Sequence, residues 1–446
     1  MRAPSKILMI LAATAAMPSV IAHAQVQLAP PVAVKTAGQG SPTPAAQALA
    51  ADPLAAQPAG PPPPPPPPPF WSLADVQELI AYIGAVGREG LDPNDYDAPA
   101  LVAAMRGGDP ARLSELATLS FNKLSSDLAL GHVRRGDRDG WFIKDNDLGA
   151  TKDEMPVRQD ALLRQALAQH RLTDTLNGLL PTHPQYQNLK DSLAGTTAAE
   201  TDKVNRLRLN LERWRWLPRD LGEKYIIVNV PSFQVALVEK GQTTWRERAV
   251  AGAIKTPTPM LSVMATGVSL NPWWEVPPSI SKEVAGKAGY VAVKGKDGKV
   301  QRWRQPPGPS NALGELKFVM YNPQNIYLHD TNARSRFDSR MRSLSHGCIR
   351  TKNVVGLAKT LFAEEGNQKW TAEKIDEVLA SKKNVQADFD KPIPVYIVYF
   401  SSAAATDGRL INYEDVYRRD AKVLAALNDT LPAPVKAKPK AEVASR

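Results

Sequence analysis

The spacing of hydrophobic residues changes near the middle of the chain. From Ser72 onward, apolar residues recur every three or four positions, which predicts an α-helix, and Ser72 with Asp75 three residues later forms a capping signal. Asp109-Pro110 opens another predicted helix, which Gly131 ends. Two further stretches with the same periodicity lie at about 157–180 and 202–214. Residues 71–217 are therefore predicted to form an α-helical domain.

After Pro218 the apolar residues alternate or form short runs, separated by Gly, Pro and Asn, as in a β-rich domain. Two helices are predicted within it, one after Cys348 that contains Val355 and Leu361, and one after Thr371. The predicted strands are at 225–230, 234–238, 248–251, 273–276, 316–320, 326–329 and 395–399. The domain spans 218–402, and the fold class is α+β.

Two segments of this second half break the strand pattern. Residues 279–314 are rich in Lys, Gly and Pro, which predicts an excursion over one face of the sheet that serves as a lid or binding loop. Residues 403–446 form an extension with a predicted helix at 413–427 and a polar tail.

The N-terminal segment predicts export. Arg2 and Lys6 precede an apolar run and a small-residue cleavage signal at 22–24, so residues 1–24 are typical of a secretory signal peptide. The run is shorter than the roughly 20 apolar residues of a membrane span, so we expect no transmembrane anchor in the mature chain and a periplasmic location.

Residues 25–70 are rich in Ala and Pro, and Pro61–Pro69 is an unbroken proline run. This composition predicts a linker that ends in a polyproline II rod. The rod either acts as a spacer across the cell wall or folds back so that its prolines dock on Phe70 and Trp71; we favour the spacer.

Charge and cysteine content narrow the function classes. Loss of Arg2 and Lys6 with the signal lowers the net charge from +10 to +8, which suits a polyanionic envelope and equally suits an ordinary surface. No basic-aromatic module indicates nucleic-acid binding. Cys348 is the only cysteine, so an intramolecular disulfide is impossible. A free thiol in an exported protein indicates reactivity, and the alternative is a buried, inert cysteine.

Cys348 lies in a stretch that favours acyl transfer. A thiol needs a base or a positive neighbour to form the thiolate, and His329, His346 and Arg350 are candidates. His329 ends a predicted strand, where rigid structure holds its ring, whereas His346 lies in a turn tightened by Gly347. The amides of Gly347 and Cys348 form a candidate oxyanion hole.

The chain contains His329, then fifteen residues, then Ser345-His346-Gly347-Cys348-Ile349-Arg350. This pattern resembles the signature of the YkuD-type L,D-transpeptidases. Three longer stretches resemble the multidomain Gram-negative branch of that family, namely NLERWRWLP at 210–218, NPWWEVPPSI at 271–280 and NALGELKF at 311–318. The helical domain resembles the scaffold domain of that branch, and 279–314 its capping subdomain. The peptidoglycan-binding module usual before ERWRW has no room here, which leaves glycan capture to other surfaces such as 279–314.

The resemblance implies a ping-pong mechanism on peptidoglycan. Cys348 attacks an L,D peptide bond of a stem peptide, His329 transfers the proton, and the side-chain amine of diaminopimelate resolves the thioester into a cross-link. Peptide stems and glycan strands are the implied partners, carbapenems the implied inhibitors, and no cofactor or metal is required. The missing module and the polyproline run favour a branch of Alpha- and Betaproteobacteria that forms 1,3 instead of 3,3 cross-links.

Supporting roles follow for further residues. Asp330 is a candidate to orient His329, with a turn-forming role as the alternative, and Ser345 to hydrogen-bond within its loop. Arg350 either binds a substrate carboxylate or clamps the structure. The candidates for the wall of the substrate cleft are Asn311, Gly314 and Tyr321, with loop structure as the alternative.

Three rival functions remain open on the sequence. If water instead of an amine attacked the same acyl-enzyme, the protein would be an L,D-carboxypeptidase or endopeptidase. A zinc site built from His329, Asp330, His346 and Cys348 is disfavoured because adjacent strand side chains diverge. A wall-binding protein with an idle pocket is the third alternative.

Overall fold

A computed structural model describes residues 67–144, 154–404 and 409–429. The predicted signal peptide, all of the predicted linker before residue 67 and the tail after residue 429 lie outside the described residues. The described residues form one compact unit. The α+β class is confirmed, with a helical N-terminal part followed by a β-rich part.

The helical part contains seven α-helices within the described residues. Ser72 and Asp75 form the predicted capping box, and Asp109 caps the third helix, which ends before Gly131. The helix at 184–194 was not predicted, because polar residues interrupt its short apolar face. The helices are α1 (Leu73–Ala85), α2 (Ala98–Gly107), α3 (Pro110–Leu130), α4 (Glu154–Gln169), α5 (Leu172–Asn177), α6 (Pro184–Ala194) and α7 (Thr201–Arg215).

The β-rich part is built on a nine-stranded sheet. Its strands are β1 (Lys224–Asn229), β2 (Gln234–Glu239), β3 (Gln242–Gly252), β4 (Leu261–Leu270), β8 (Leu316–Val319), β9 (Leu328–His329), β10 (Ser343–Ser345), β11 (Ile349–Thr351) and β12 (Val385–Val398). Their order is β10-β3-β11-β9-β8-β4-β12-β1-β2, and β3 also pairs with β2, so the sheet closes on itself. The helices α9 (Val354–Glu364) and α10 (Ala372–Ser381) follow β11 as predicted.

The sequence prediction underestimated five strands of this sheet. β3 and β12 are longer than predicted, and β4, β10 and β11 were not predicted at all. β4 pairs with both β12 and β8, and Gly267 within it approaches the backbone of β12 so closely that a Cβ there would lie 2.4 Å from the Ala387 carbonyl oxygen. Its small and polar residues mask the apolar alternation that marks a strand.

The predicted excursion is a small subdomain, which we call the cap. It contains the three-stranded sheet of β5 (Trp274–Glu275), β6 (Val291–Lys294) and β7 (Val300–Gln305), and the short helix α8 (Ser281–Val284). Val276, Ile280 and Val284 form a hydrophobic cluster of their own, packed with partly buried aromatic rings. The cap is therefore folded, although its sequence is polar.

The ERWRW stretch at the end of α7 joins the helical part to the sheet. Trp214 stacks between His183 and Phe400, with ring centroids 4.3 and 4.8 Å apart. Arg213 forms an ion pair with Asp420 at 2.7 Å. Trp214 therefore packs between the helical part and the β-rich part.

The C-terminal extension returns to the sheet. It contains β13 (Ser402–Ala404), β14 (Leu410–Asn412) and α11 (Asp420–Leu427). The predicted helix at 413–427 is thus shorter, because residues 413–419 form turns that Asp415 ties by accepting from the N–H groups of Arg419 and Asp420. None of the described helices combines the length and apolar character needed to cross a membrane.

Candidate active site

The sheet brings the sulfur-bearing loop beside the end of strand β9. This loop, residues 345–348 between β10 and β11, is called the thiol loop below. β11 pairs in parallel with β9, placing Arg350 opposite His329. A cleft of about 890 Å³ opens there, and His329, Ser345, His346, Cys348 and Arg350 all line it.

Cys348 is partly exposed to this cleft. Its Sγ lies 3.5 Å from the carbonyl oxygen of Asn325. Burial raises the pKa of the Cys348 thiol, whereas hydrogen bonds from the Tyr327 backbone and hydroxyl, followed by the positive charges of Lys317 and Arg350, act in the opposite direction. The thiol is therefore mostly protonated at neutral pH, and Tyr327, Lys317 and Arg350 offset part of the cost of ionising it.

His329 is buried at the strand end, where the sequence placed it. Burial, aided by the positive charge of Arg350, lowers the pKa of His329 to about 3. Its Nδ1 lacks a partner of good geometry among the described residues, although the backbone at Asp330 and Leu313 favours protonation of the ring. The imidazole is thus neutral at physiological pH, as a proton acceptor must be.

Two cleft residues that the sequence did not reveal complete these surroundings. Tyr327 lies two residues before His329, on the same face of the strand, and the two rings meet edge to face at 5.6 Å. The Lys317 Nζ lies 5.0 Å from the centre of the Tyr327 ring, and Lys317 pairs with His329 across β8 and β9. The alternation of strand side chains could have indicated Tyr327, but Lys317 required the register between two strands.

The thiol loop is closed by Ser345. Its Oγ donates to the Cys348 carbonyl oxygen at 2.6 Å and accepts from the Gly347 N–H at 3.1 Å. The expectation that Gly347 offers its amide to an oxyanion is therefore wrong, because Ser345 already uses that donor. Gly347 has φ +124°, a backbone conformation that favours glycine.

The Asp330 carboxylate does not orient His329. Its Oδ2 accepts from the Glu315 N–H at 3.0 Å and from the Arg334 guanidinium at 2.8 Å. Side chains of adjacent strand residues point to opposite faces, so the carboxylate braces the turn before β8 instead. The turn-forming alternative is the correct one.

The predicted cleft-wall residues do not line the cleft. Asn311 is fully buried, and its amide nitrogen donates to the carbonyls of Pro272 and Pro306 at 3.0 and 2.8 Å. Gly314 has φ +61° and packs against Asp330. Tyr321 is 82% exposed and lies outside the set of cleft-lining residues. Asn311 and Gly314 therefore support the loop, and the prediction that they bind substrate is wrong.

His346 is exposed on the rim of the cleft, facing the cap. Its Nε2 lies 3.8 Å from a carboxylate oxygen of Glu283. Among the described residues, the ligand atoms close enough to share a metal ion belong to Asp95, His132 and Asp429. The four residues of the zinc alternative are not in that group.

Comparison with known proteins identifies two domains within the chain. The profile of the L,D-transpeptidase catalytic domain, YkuD, matches residues 223–376, and that of the scaffold domain matches residues 67–193. The chain therefore contains an L,D-transpeptidase catalytic domain and, before it, a scaffold domain. A Haemophilus influenzae protein provisionally named an L,D-transpeptidase is 28% identical over 352 residues, which cover 71% of this chain and 70% of that protein.

Solved L,D-transpeptidases are more distant. A structure from Mycobacterium smegmatis is 13% identical, with a TM-score of 0.21, over 40% of this chain and 58% of that one. A structure from Enterococcus faecium is 12% identical, with a TM-score of 0.22, over 41% and 52%. This chain thus spans about half to three fifths of these solved structures.

The family match places the candidate active site inside the YkuD domain. Cys348, His329, Tyr327, Lys317 and Arg350 all fall within residues 223–376. The C-terminal extension lies beyond the matched residues, although it belongs to the same compact unit.

Proposed function

We propose that this L,D-transpeptidase cross-links peptidoglycan stem peptides through a thioester on Cys348. The observation that carries the proposal is the convergence of Cys348, His329 and Arg350 on one cleft in the YkuD domain. A thiol, a neutral imidazole and fixed positive charge are the groups that acyl transfer through sulfur needs.

The first half-reaction starts from two uncharged groups. His329 takes the thiol proton as the sulfur attacks the carbonyl of an L-configured stem residue. The negative charge passes from sulfur to the carbonyl oxygen, where the Cys348 N–H and the Tyr327 hydroxyl are candidate donors. The protonated imidazole then gives its proton to the departing amine, and the thioester remains.

The second half-reaction reverses these steps with a new amine. The side-chain amine of diaminopimelate in a neighbouring stem attacks the thioester, His329 accepts the amine proton and returns it to the sulfur, and the cross-link is released. Because the thioester conserves the energy of the cleaved peptide bond, the cycle needs neither ATP nor a metal.

The cap is our candidate for wall capture. Residues 279–314 contain seven Lys and Arg against two acidic residues. Five lysines are exposed, namely Lys282, Lys287, Lys294, Lys296 and Lys299. Such a surface attracts the carboxylates of the peptide stems, which would replace the missing peptidoglycan-binding module.

The cross-link type, location and inhibitors belong to the same proposal. We favour 1,3 links, a periplasmic location set by residues 1–24, and acylation of Cys348 by carbapenems. The last is supported by the presence of imipenem in a solved L,D-transpeptidase structure, of a different protein.

Analysis of muropeptide products tests the proposal. Purified protein is incubated with sacculi and with isolated muropeptides, and the products are separated and fragmented by mass spectrometry. We expect new dimers with the wild type and none with Cys348→Ala, and fragment masses distinguish 1,3 from 3,3 links. Trimmed monomers without dimers would support hydrolysis instead, and equal dimer yields with Cys348→Ala would overturn the enzyme assignment.

A further inference from the structure

A buried threonine outside the thiol loop holds one carbonyl of that loop. Thr258, in the turn between β3 and β4, is fully buried. Its Oγ1 accepts from the Gly252 N–H at 2.8 Å and donates to the Gly347 carbonyl oxygen at 2.7 Å. Because the Gly252 amide fixes the acceptor side of the hydroxyl, its proton is directed at Gly347.

The C-terminal extension closes this turn. The Tyr417 hydroxyl accepts from the Thr258 N–H at 3.1 Å and donates to the Gly252 carbonyl oxygen at 2.7 Å. One phenol thus bridges the two residues that set the direction of the threonine hydroxyl.

Tyr417 is itself held by the sheet. Its N–H donates to the Tyr399 hydroxyl at 2.8 Å, and the Tyr399 hydroxyl donates to Asp415 at 2.6 Å. The rings of Tyr399 and Tyr417 stack with centroids 5.7 Å apart. The extension is therefore anchored where it meets the turn.

The Gly347 carbonyl matters because of the peptide to which it belongs. In a planar trans peptide the C=O and the following N–H point in opposite directions, so holding the Gly347 oxygen also aims the Cys348 N–H. The Gly347 N–H is occupied by Ser345, whereas the Cys348 N–H has no hydrogen-bond partner among the described residues. The Cys348 amide is therefore the backbone donor that the thiol loop has left for an oxyanion.

We propose that Tyr417 and Thr258 are positioning residues that aim the Cys348 amide at the oxyanion formed during acylation. The C-terminal extension, outside the matched catalytic domain, is then a working part of the active site. This inference rests on the proposed acyl transfer through Cys348.

Two reagents separate this role from general structural support. A carbapenem acylates the thiol through a tetrahedral intermediate that needs an oxyanion donor, whereas iodoacetamide alkylates it by displacement of iodide without one. In the full chain, we expect Thr258→Val to slow the maximal rate of carbapenem acylation by roughly 10-fold to 100-fold. Iodoacetamide alkylation should stay within about 3-fold. Thr258→Ser, which keeps the hydroxyl, should restore acylation.

Tyr417→Phe provides a second variant if Thr258→Val does not fold. It keeps the stacked ring and removes the bridging hydroxyl, so acylation should again slow more than alkylation. Tyr413→Phe, in the same extension but outside this network, is the matched control and should behave as wild type. Because the two residues act through one contact, the double variant should be no slower than the slower single variant.

Three results would overturn the inference. Wild-type acylation rates in both Thr258→Val and Tyr417→Phe would show that these two residues are not needed to orient the Cys348 amide. A parallel loss of acylation, alkylation and thermal stability would show a structural role only. If the wild type is alkylated but not acylated by the carbapenem or by muropeptides, the proposed function fails first, which is distinguishable from either result.

Discussion

His329 and Cys348 are both kept uncharged by burial, which lowers the pKa of one and raises that of the other. The resting site therefore contains a neutral thiol and a neutral imidazole, and not a thiolate–imidazolium pair. Lys317 and Arg350 supply fixed positive charge instead, and Tyr327 links Lys317 to the sulfur. Charge thus develops when the substrate arrives, in surroundings already arranged to receive it.

The Lys317 charge can be tested by thiol titration. We expect Lys317→Met to raise the apparent pKa of Cys348, because removal of a nearby cation disfavours the thiolate. The measurement is the rate of iodoacetamide alkylation against pH. The exposed Lys352 is the matched control, since Lys352→Met should leave the curve in place. An unchanged or lower pKa in Lys317→Met would contradict this role.

At the scale of elements, the turn before β8 holds the strand that carries His329. Asn311 and Gly314 are part of that turn, and the Asp330 carboxylate accepts from its Glu315 N–H. Their polar groups satisfy one another inside the protein, which explains why the motif around them looks functional although it is structural.

Asp330→Asn distinguishes these two roles. We expect the free energy of unfolding to fall by about 1–3 kcal/mol, because the Glu315 N–H and Arg334 lose a charged acceptor. Carbapenem acylation should stay within about 3-fold of wild type. Urea unfolding and acylation rates measure the two effects, with Asp338→Asn, an exposed ion-pair residue, as the control. A large loss of acylation at unchanged stability would restore the orienting role.

At the scale of the whole molecule, a buried charge network lies inside the helical part, around the end of α7 that contacts the β-rich part. Glu212 and Arg215 pair at 2.6 Å, and both side chains are fully buried. Glu212 also accepts from the Val133 N–H and from the Trp216 indole, each at 2.8 Å. Burial alone would raise the pKa of Glu212, but Arg215 and the Val133 amide lower it overall. The helical part and the β-rich part should unfold together, because Trp214 and Arg213 on the same helix contact Phe400 and Asp420.

Glu212→Gln should reveal that coupling. It leaves the Arg215 charge buried without its partner, so we expect a loss of about 3–5 kcal/mol in the free energy of unfolding. Calorimetry of the wild type should show a single transition, and the variant the same transition at lower temperature. Two separated transitions in the wild type would contradict the coupling.

The sequence was most informative about features that depend on residues close together in the chain. Cys348 and His329 could be predicted because their spacing and neighbours form a motif, and helix ends such as Ser72 and Asp109 because capping is local chemistry. Lys317 lies at the site because of the pairing register between β8 and β9. Tyr417 lies near the site although it is about 70 residues from Cys348 in the sequence. Neither relation leaves a local pattern, so only the folded structure reveals them.

The most direct test of the central claim is the mass of the intact protein during turnover. Samples are quenched in acid after mixing with muropeptides, and the modified peptide is mapped. We expect a transient adduct equal to the donor stem minus its leaving group, bound to Cys348, absent in Cys348→Ala and slow to form in His329→Ala. Cross-linked product formed by Cys348→Ala, or an adduct on any other residue, would contradict the claim.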